Sequence, residues 1–266
     1  MIFTILLFIA GALYGASFLS AGFGEVGTVR RRRAFFTALA GFAFHTAALG
    51  LRCWQTSRAP LGTSYEFVES TAWILAALQI AVSLFMRTPL AGFFSMLPAA
   101  VLTLLPACCP AFPAAMESAP KSVLSYAGAH GILAAFSYGF TAAATLLGGL
   151  YLRQCSILRG KTALPKASAM PSLYTLERGV GAFASTAAAS MLASIALGAY
   201  MVSSADTNCA MLVKFAAGAF VFAGQAAFCA LAVSGVLRGV RLAKFSIALF
   251  AAALIMLVPI ELRTVL

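Results

Sequence analysis

The chain has 266 residues, of which 62% are hydrophobic and only 9% charged, with a mean hydropathy of +0.97. A soluble domain of this size needs far more charge to cover its surface, so that class is excluded. The formal net charge of +11 invites a nucleic-acid partner, but the basic residues sort by side of a membrane rather than into one patch, which argues against it.

Eight apolar segments follow one another at roughly 2–22, 34–54, 67–86, 90–108, 122–152, 180–203, 210–236 and 244–262. Each is of a length to cross a hydrocarbon core of about 30 Å. They predict an all-α, polytopic integral membrane protein forming a single transmembrane domain over residues 1–266. No Lys or Arg precedes the first span, whereas a secretory signal carries a positive n-region, so the segment is expected to be a retained helix. The second span carries His45 within GFAFHTAALG and ends near Trp54. The third bears Trp73, and the fourth leads into a proline-rich outer connection, PACCPAFPAAMESAPKS, expected to be irregular. The fifth carries His130 and Tyr138. The longest connection, 153–178, reads as a cytoplasmic loop; within it PSLYTLER is the amphipathic lead-in to span six, with Ser172 available as an N-cap.

Thirteen basic residues fall on one side of these spans: Arg30–Arg33, Arg87, Arg153, Arg159, Lys161, Lys166, Arg178, Arg238, Arg241 and Lys244. Five fall on the other: Arg52, Arg58, Lys121, Lys214 and Arg263. The positive-inside rule then places both termini outside the cytoplasm and the Arg30–Arg33 run inside, as expected of a multi-pass protein of the bacterial inner membrane. Anionic lipid is the partner such charge implies.

Six cysteines (Cys53, Cys108, Cys109, Cys155, Cys209, Cys229) include no C-x-x-C and no C-x-x-C-H, so the chain is not itself a c-type cytochrome. Their plain reading is as small apolar fillers of helix interfaces; pairing among Cys53, Cys108, Cys109 and Cys209 at the outer face stays open. No nucleophile–base pair, phosphate loop or paired core carboxylates suggest an enzyme.

The chain has two histidines, His45 and His130. With the boundaries above, each lies nine residues below the outer end of its helix, at about 1.5 Å per residue a shared depth of roughly 13 Å. Gly41 and Ala48 flank His45 on its own helix face, and Ala127 and Ala134 flank His130. Such small neighbours leave space for a planar macrocycle ligated axially by two imidazoles. Arg52, two turns outward of His45, is placed to meet a carboxylate such as a haem propionate. Two other uses stay open: a hydrogen bond to a Ser, Thr or carbonyl of a neighbouring helix, and a proton relay in a small-solute or proton transporter.

Beyond His45 the chain reads HTAALGLRCWQTSRAPLGTSYEFVESTAWILAALQI. This resembles the segment of the CcsA/HemX-type cytochrome c assembly family in which a span-two histidine precedes a Pro-Leu-x-x-x-Tyr-Glu element and a tryptophan-bearing helix. The matching positions are Pro60, Leu61, Tyr65, Glu66 and Trp73. FFSMLPAAVLTLLP is similar to the family's Leu-Pro helix, and His130 with Tyr138 to its His-x-x-x-x-x-x-x-Tyr helix. MPSLYTLER matches its Pro-Ser-Leu-x-x-Leu-Glu element, so the likeness runs over most of residues 34–245. It implies haem b held by His45 and His130 in the outer half of the membrane, with Arg52 and Arg58 toward the propionates and Trp73 and Tyr138 about the ring. The implied partners are haem and either cytochrome c maturation components or an enzyme of haem synthesis. The chain lacks the Trp-Gly-x-x-Trp-x-Trp-Asp motif of the full-length synthases and any third histidine. It is thus closer to the short HemX/YpjD-like branch, which implies as an alternative a membrane regulator or scaffold of haem biosynthesis.

Overall fold

The computed structural model describes residues 2–21, 28–57, 59–61, 63–86, 96–109, 126–160, 171–203 and 209–262, which hold eight helices and no strand. In chain order these are α1 (Ile2–Ala21), α2 (Thr28–Thr56), α3 (Ser64–Met86), α4 (Met96–Ala107), α5 (Tyr126–Arg159), α6 (Leu173–Ser203), α7 (Cys209–Val233) and α8 (Val240–Leu262). In hydrocarbon every backbone N–H and C=O must be satisfied within the protein, which a helix does inside its own segment. Six helices (α1, α2, α3, α5, α6 and α7) are long and apolar enough to cross a membrane. The helix α4 has 12 described residues, about 18 Å, short of the bilayer core. With 23 residues, α8 has the length for a span but is not among the six.

The helices sit where the apolar segments predict, but several ends extend past them, three of them by six residues or more. The arginines Arg30–Arg33 continue α2, α5 runs on to Arg159, and α6 already begins at Leu173. Hydropathy marks where side chains meet water, whereas the backbone ladder continues through arginine, a good helix former, whose long stem lets its charge reach water. Ser172 stands directly before the first residue of α6, the N-cap position. The proline-rich connection at 110–125, and Arg58, Arg87, Lys121, Lys161, Lys166 and Arg263, lie outside the described residues.

The chain divides into two compact units, residues 1–123 with 154–172, and residues 124–153 with 173–266. In the first unit α1 packs along α2 and against α4, and α3 packs on α4 and α2. Buried positions of α1 are Phe3, Leu7, Ala10, Gly11, Tyr14 and Ser17; those of α2 are Ala34, Ala38, Gly41, His45, Ala48, Arg52 and Thr56. Most steps along them are of three or four residues, the seam of a closely packed helix pair. Small residues on that seam bring the backbones together. His45 and Arg52 therefore share the face that α2 turns inward.

In the second unit α7 packs on α6 and α8, and α8 also meets α6. Side-chain hydrogen bonds join α5 to the other three. Gln225 Nε2 on α7 donates to Ser137 Oγ at 2.9 Å and Thr141 Oγ1 at 3.0 Å. Thr145 Oγ1 donates to the Ser246 carbonyl of α8 at 2.8 Å. Glu177, from the PSLYTLER segment, accepts the Gly239 N–H at 2.9 Å and so ties the start of α6 to the turn before α8.

Candidate functional site

His45 is fully buried. Its Nδ1 lies 3.3 Å from the Tyr14 hydroxyl of α1, and its Nε2 lies 3.4 Å from Glu69 Oε2 of α3. Tyr14 and Glu69 are likewise fully buried. The Tyr14 ring reaches its place because residue 41 has no side chain: a Cβ on Gly41 would stand 2.9 Å from Tyr14 Cδ1 and 3.2 Å from the Ala10 carbonyl. At the far side of the imidazole, Nε2 and both Glu69 oxygens have no hydrogen-bond partner among the described residues. Two buried groups thus face each other without a bond that satisfies either.

Two turns outward on the same seam, Arg52 Nε donates to Glu66 Oε1 at 2.7 Å. The second oxygen of Glu66 accepts the Thr63 N–H at 3.3 Å, and Thr63 Oγ1 accepts the Glu66 N–H at 3.2 Å. That reciprocal pair is a capping box starting α3. The remaining motif residues gather at the same helix end. Pro60 presents its carbonyl to Ser70 Oγ at 3.0 Å, Leu61 is half-buried, and the Tyr65 hydroxyl lies 3.2 Å from Cys109 Sγ. Trp73 stacks on Phe42 with centroids 5.2 Å apart and donates its indole N–H to Thr46 Oγ1 at 2.9 Å, bracing α3 against α2 beside His45. The carboxylate expected to meet Arg52 is, in this unit, the protein's own Glu66.

His130 belongs to the second unit and is half-buried. Its Nδ1 donates to the Ser194 carbonyl of α6 at 2.7 Å, and the Ser194 hydroxyl donates to the His130 carbonyl at 3.0 Å. The ring lies over Gly198, one turn beyond Ser194, where a Cβ would come within 3.1 Å of His130 Cε1. One turn outward, Tyr126 and Tyr200 pair edge to face at 5.4 Å. Tyr138 is buried, and its hydroxyl donates to the Ala253 carbonyl of α8 at 3.4 Å. So one of the open readings, a hydrogen bond across helices, is present at His130, but it engages a single ring nitrogen.

That division bears on whether the histidines suit an iron ligand. A carbonyl only accepts, so the hydrogen of neutral His130 sits on Nδ1 and the lone pair on Nε2, which makes no hydrogen bond among the described residues. An imidazole that binds iron through one nitrogen and anchors the other N–H to a carbonyl is the usual pose of such a ligand. At His45 the partner of Nδ1 is the Tyr14 hydroxyl, which can donate or accept, and Nε2 faces the Glu69 carboxylate at 3.4 Å. Of the two rings, His130 thus presents the arrangement of a ligating imidazole, whereas His45 is enclosed with Glu69 against its Nε2. No group of three His, Cys, Asp or Glu that could hold a bare metal ion is found among the described residues.

The helix α2 runs eleven residues past His45 to Thr56, and α5 is described from Tyr126, four residues before His130. Among the described residues, Cys108, Cys155 and Cys229 are free thiols. Tyr14, Glu69, Ser194 and Gly198 had not been singled out from sequence. The legible signals were Glu69, an acid inside an apolar span, and Tyr14, a polar tip on a uniformly apolar helix. Comparison with protein-family models, with curated proteins and with solved structures gives no match to this chain.

Proposed function

We propose that this protein binds haem b in the membrane through histidine imidazoles and serves haem handling in cytochrome c assembly, as the CcsA/HemX-like motifs imply. The observation that supports this reading is that each histidine holds Nδ1 against a polar group of a neighbouring helix, Tyr14 for His45 and Ser194 for His130, and that His130 Nε2 makes no hydrogen bond among the described residues. His45 and His130 would be the iron ligands. Bound haem would supply a one-electron redox centre. The protein's own part is to hold each ring in one orientation: Tyr14 over the space left by Gly41 does so for His45, and Ser194 with Gly198 for His130. Arg52 serves foremost to hold Glu66 and with it the start of α3. The orientation goes with it: an inner-membrane protein with both termini outside the cytoplasm and Arg30–Arg33 toward anionic lipid.

The test is an absorption spectrum of protein purified in detergent from haem-replete cells, oxidised and reduced. A Soret band with low-spin bis-imidazole features is expected, lost in both His45→Ala and His130→Ala. A colourless wild-type protein overturns the proposal.

A second reading, a membrane regulator or scaffold of haem biosynthesis acting through its cytoplasmic ends, is favoured by one observation. Arg30, Arg32 and Arg33 are exposed on the first turns of α2 and so are displayed on a rigid helix. On that reading, replacing both histidines leaves the cellular phenotype intact and neutralising Arg30–Arg33 abolishes it.

A further inference from the structure

Among the described residues, the polar side chains buried in the second unit find hydrogen-bond partners everywhere but at one place. Ser246 donates its hydroxyl to the Ala243 carbonyl at 2.8 Å, and Ser194 donates its own to the His130 carbonyl at 3.0 Å. Gln225 of α7 is as deeply buried, 1% exposed, against Ser137 and Thr141 of α5. All three lie within the membrane-length apolar stretches Gly128–Arg159 and Phe215–Val233. Both amide hydrogens of Gln225 are used, on Ser137 Oγ at 2.9 Å and on Thr141 Oγ1 at 3.0 Å. The Thr141 hydroxyl hydrogen goes to the Ser137 carbonyl at 2.8 Å. Two groups are left over at the same spot. Gln225 Oε1 is an acceptor without a donor, and the Ser137 hydroxyl hydrogen has no acceptor among the described residues.

Turning the amide over does not close the node. Its oxygen could then accept from Ser137, but both amide hydrogens would lose their acceptors instead. Helices in hydrocarbon have no solvent to supply missing partners, and a buried amide oxygen left without a donor is costly. We infer that one water molecule is bound at this node, accepting the Ser137 hydroxyl hydrogen and donating to Gln225 Oε1. Water is the smallest group that does both, and buried waters are held by a few otherwise unsatisfied polar groups of this kind. A cation could meet Oε1, but the buried polar side chains described in the second unit include no acid to balance its charge. The joint between α5 and α7 is therefore a hydrated one inside an apolar bundle. This assignment stands apart from the haem reading.

The test is infrared spectroscopy of the full-length protein in lipid films, equilibrated with deuterated water carrying either ordinary or heavy oxygen. The O–D stretch of a bound water shifts with the oxygen isotope, whereas that of a Ser or Thr hydroxyl does not. A sharp, isotope-shifted O–D band is expected in wild type and should be lost in Gln225→Met, which follows the shape of glutamine without its amide. Heavy-carbon labelling of glutamine supplies a second reading, since the chain has only Gln55, Gln79, Gln154 and Gln225. The side-chain carbonyl band that disappears in Gln225→Met should coincide with that of exposed Gln55, because both oxygens accept from water. Ser137→Ala keeps the amide and serves where Gln225→Met does not fold: losing one of its two partners, the water should shift or lose its O–D band. A Gln225 carbonyl band at the higher frequency of an unbonded amide overturns the inference. So does a wild-type film without an isotope-shifted band, or one whose band is left unmoved by the substitutions.

Discussion

Removing Arg52 tests how the outer end of the α2–α3 seam is held. The guanidinium Nε donates to Glu66 Oε1 at 2.7 Å, with side chains 10% and 0% exposed, so the pair is nearly dry. In Arg52→Ala, Glu66 keeps its contacts with Thr63 but loses the guanidinium that meets it at 2.7 Å. Breaking a buried pair from one side costs about 3–5 kcal/mol. Alanine returns at most a few tenths of a kcal/mol in helix propensity, and the surviving capping box softens the loss. A destabilisation of about 3 kcal/mol, more than a hundredfold in the folding equilibrium, is therefore expected. Arg52→Met combined with Glu66→Gln should recover most of it, since neutral groups in place of a buried pair are often tolerated and the Gln amide preserves the cap. The assay is unfolding of haem-free protein in mixed detergent, run as a double-mutant cycle. Were Arg52 only a contact for a haem propionate, Arg52→Ala would leave haem-free stability unchanged. A loss below about 1 kcal/mol, or a double variant no better than Arg52→Met alone, refutes the argument.

Two glycine substitutions probe the histidine supports. Gly41→Ala gains about 1 kcal/mol of helix propensity but places a methyl 2.9 Å from the Tyr14 ring, and overpacking of this kind costs about 1–3 kcal/mol. The net should be a loss of up to about 2 kcal/mol in thermal unfolding, rescued by Tyr14→Ala but not by Tyr14→Phe, because it is ring carbon rather than hydroxyl that clashes. A stabilised Gly41→Ala protein refutes this. Gly198→Val should push the His130 ring off α6 and weaken the low-spin haem spectrum. Ser194→Ala should cost only about 0.6–1 kcal/mol, because the carbonyl that accepts Nδ1–H remains. A spectrum unchanged by Gly198→Val would show that the ring has another place to sit.

Much of the architecture was legible because its cause is local. Residues 2–22 and 67–86 read as apolar spans, and α1 and α3 lie on them, since an apolar run in a bilayer has little choice but to close its hydrogen bonds as a helix. The polar helix ends were legible only in part: the PSLYTLER lead-in with Ser172 as N-cap marks the start of α6, whereas Arg30–Arg33 look like a connection by hydropathy, yet the backbone continues through them. His45 and Arg52 were legible as candidates because ionisable groups are scarce in this chain, and their seven-residue spacing correctly put them on one face. Their partners were another matter. That Arg52 meets Glu66 rather than an external carboxylate depends on where α3 starts and how it leans on α2.

Sequence by itself thus determined an all-helical chain with membrane-length helices, the seam of α2 that faces inward, and the two imidazoles worth asking about. Only the tertiary structure decided what each ring nitrogen touches. Tyr14 lies 31 residues from His45 and Ser194 lies 64 from His130, and no periodicity along one helix encodes which residue of another comes to rest against it. That choice is made by close packing at Gly41 and Gly198, where the absence of a side chain lets a ring cross from one helix to the next. It is also what sets Glu69 Oε2 3.4 Å from His45 Nε2.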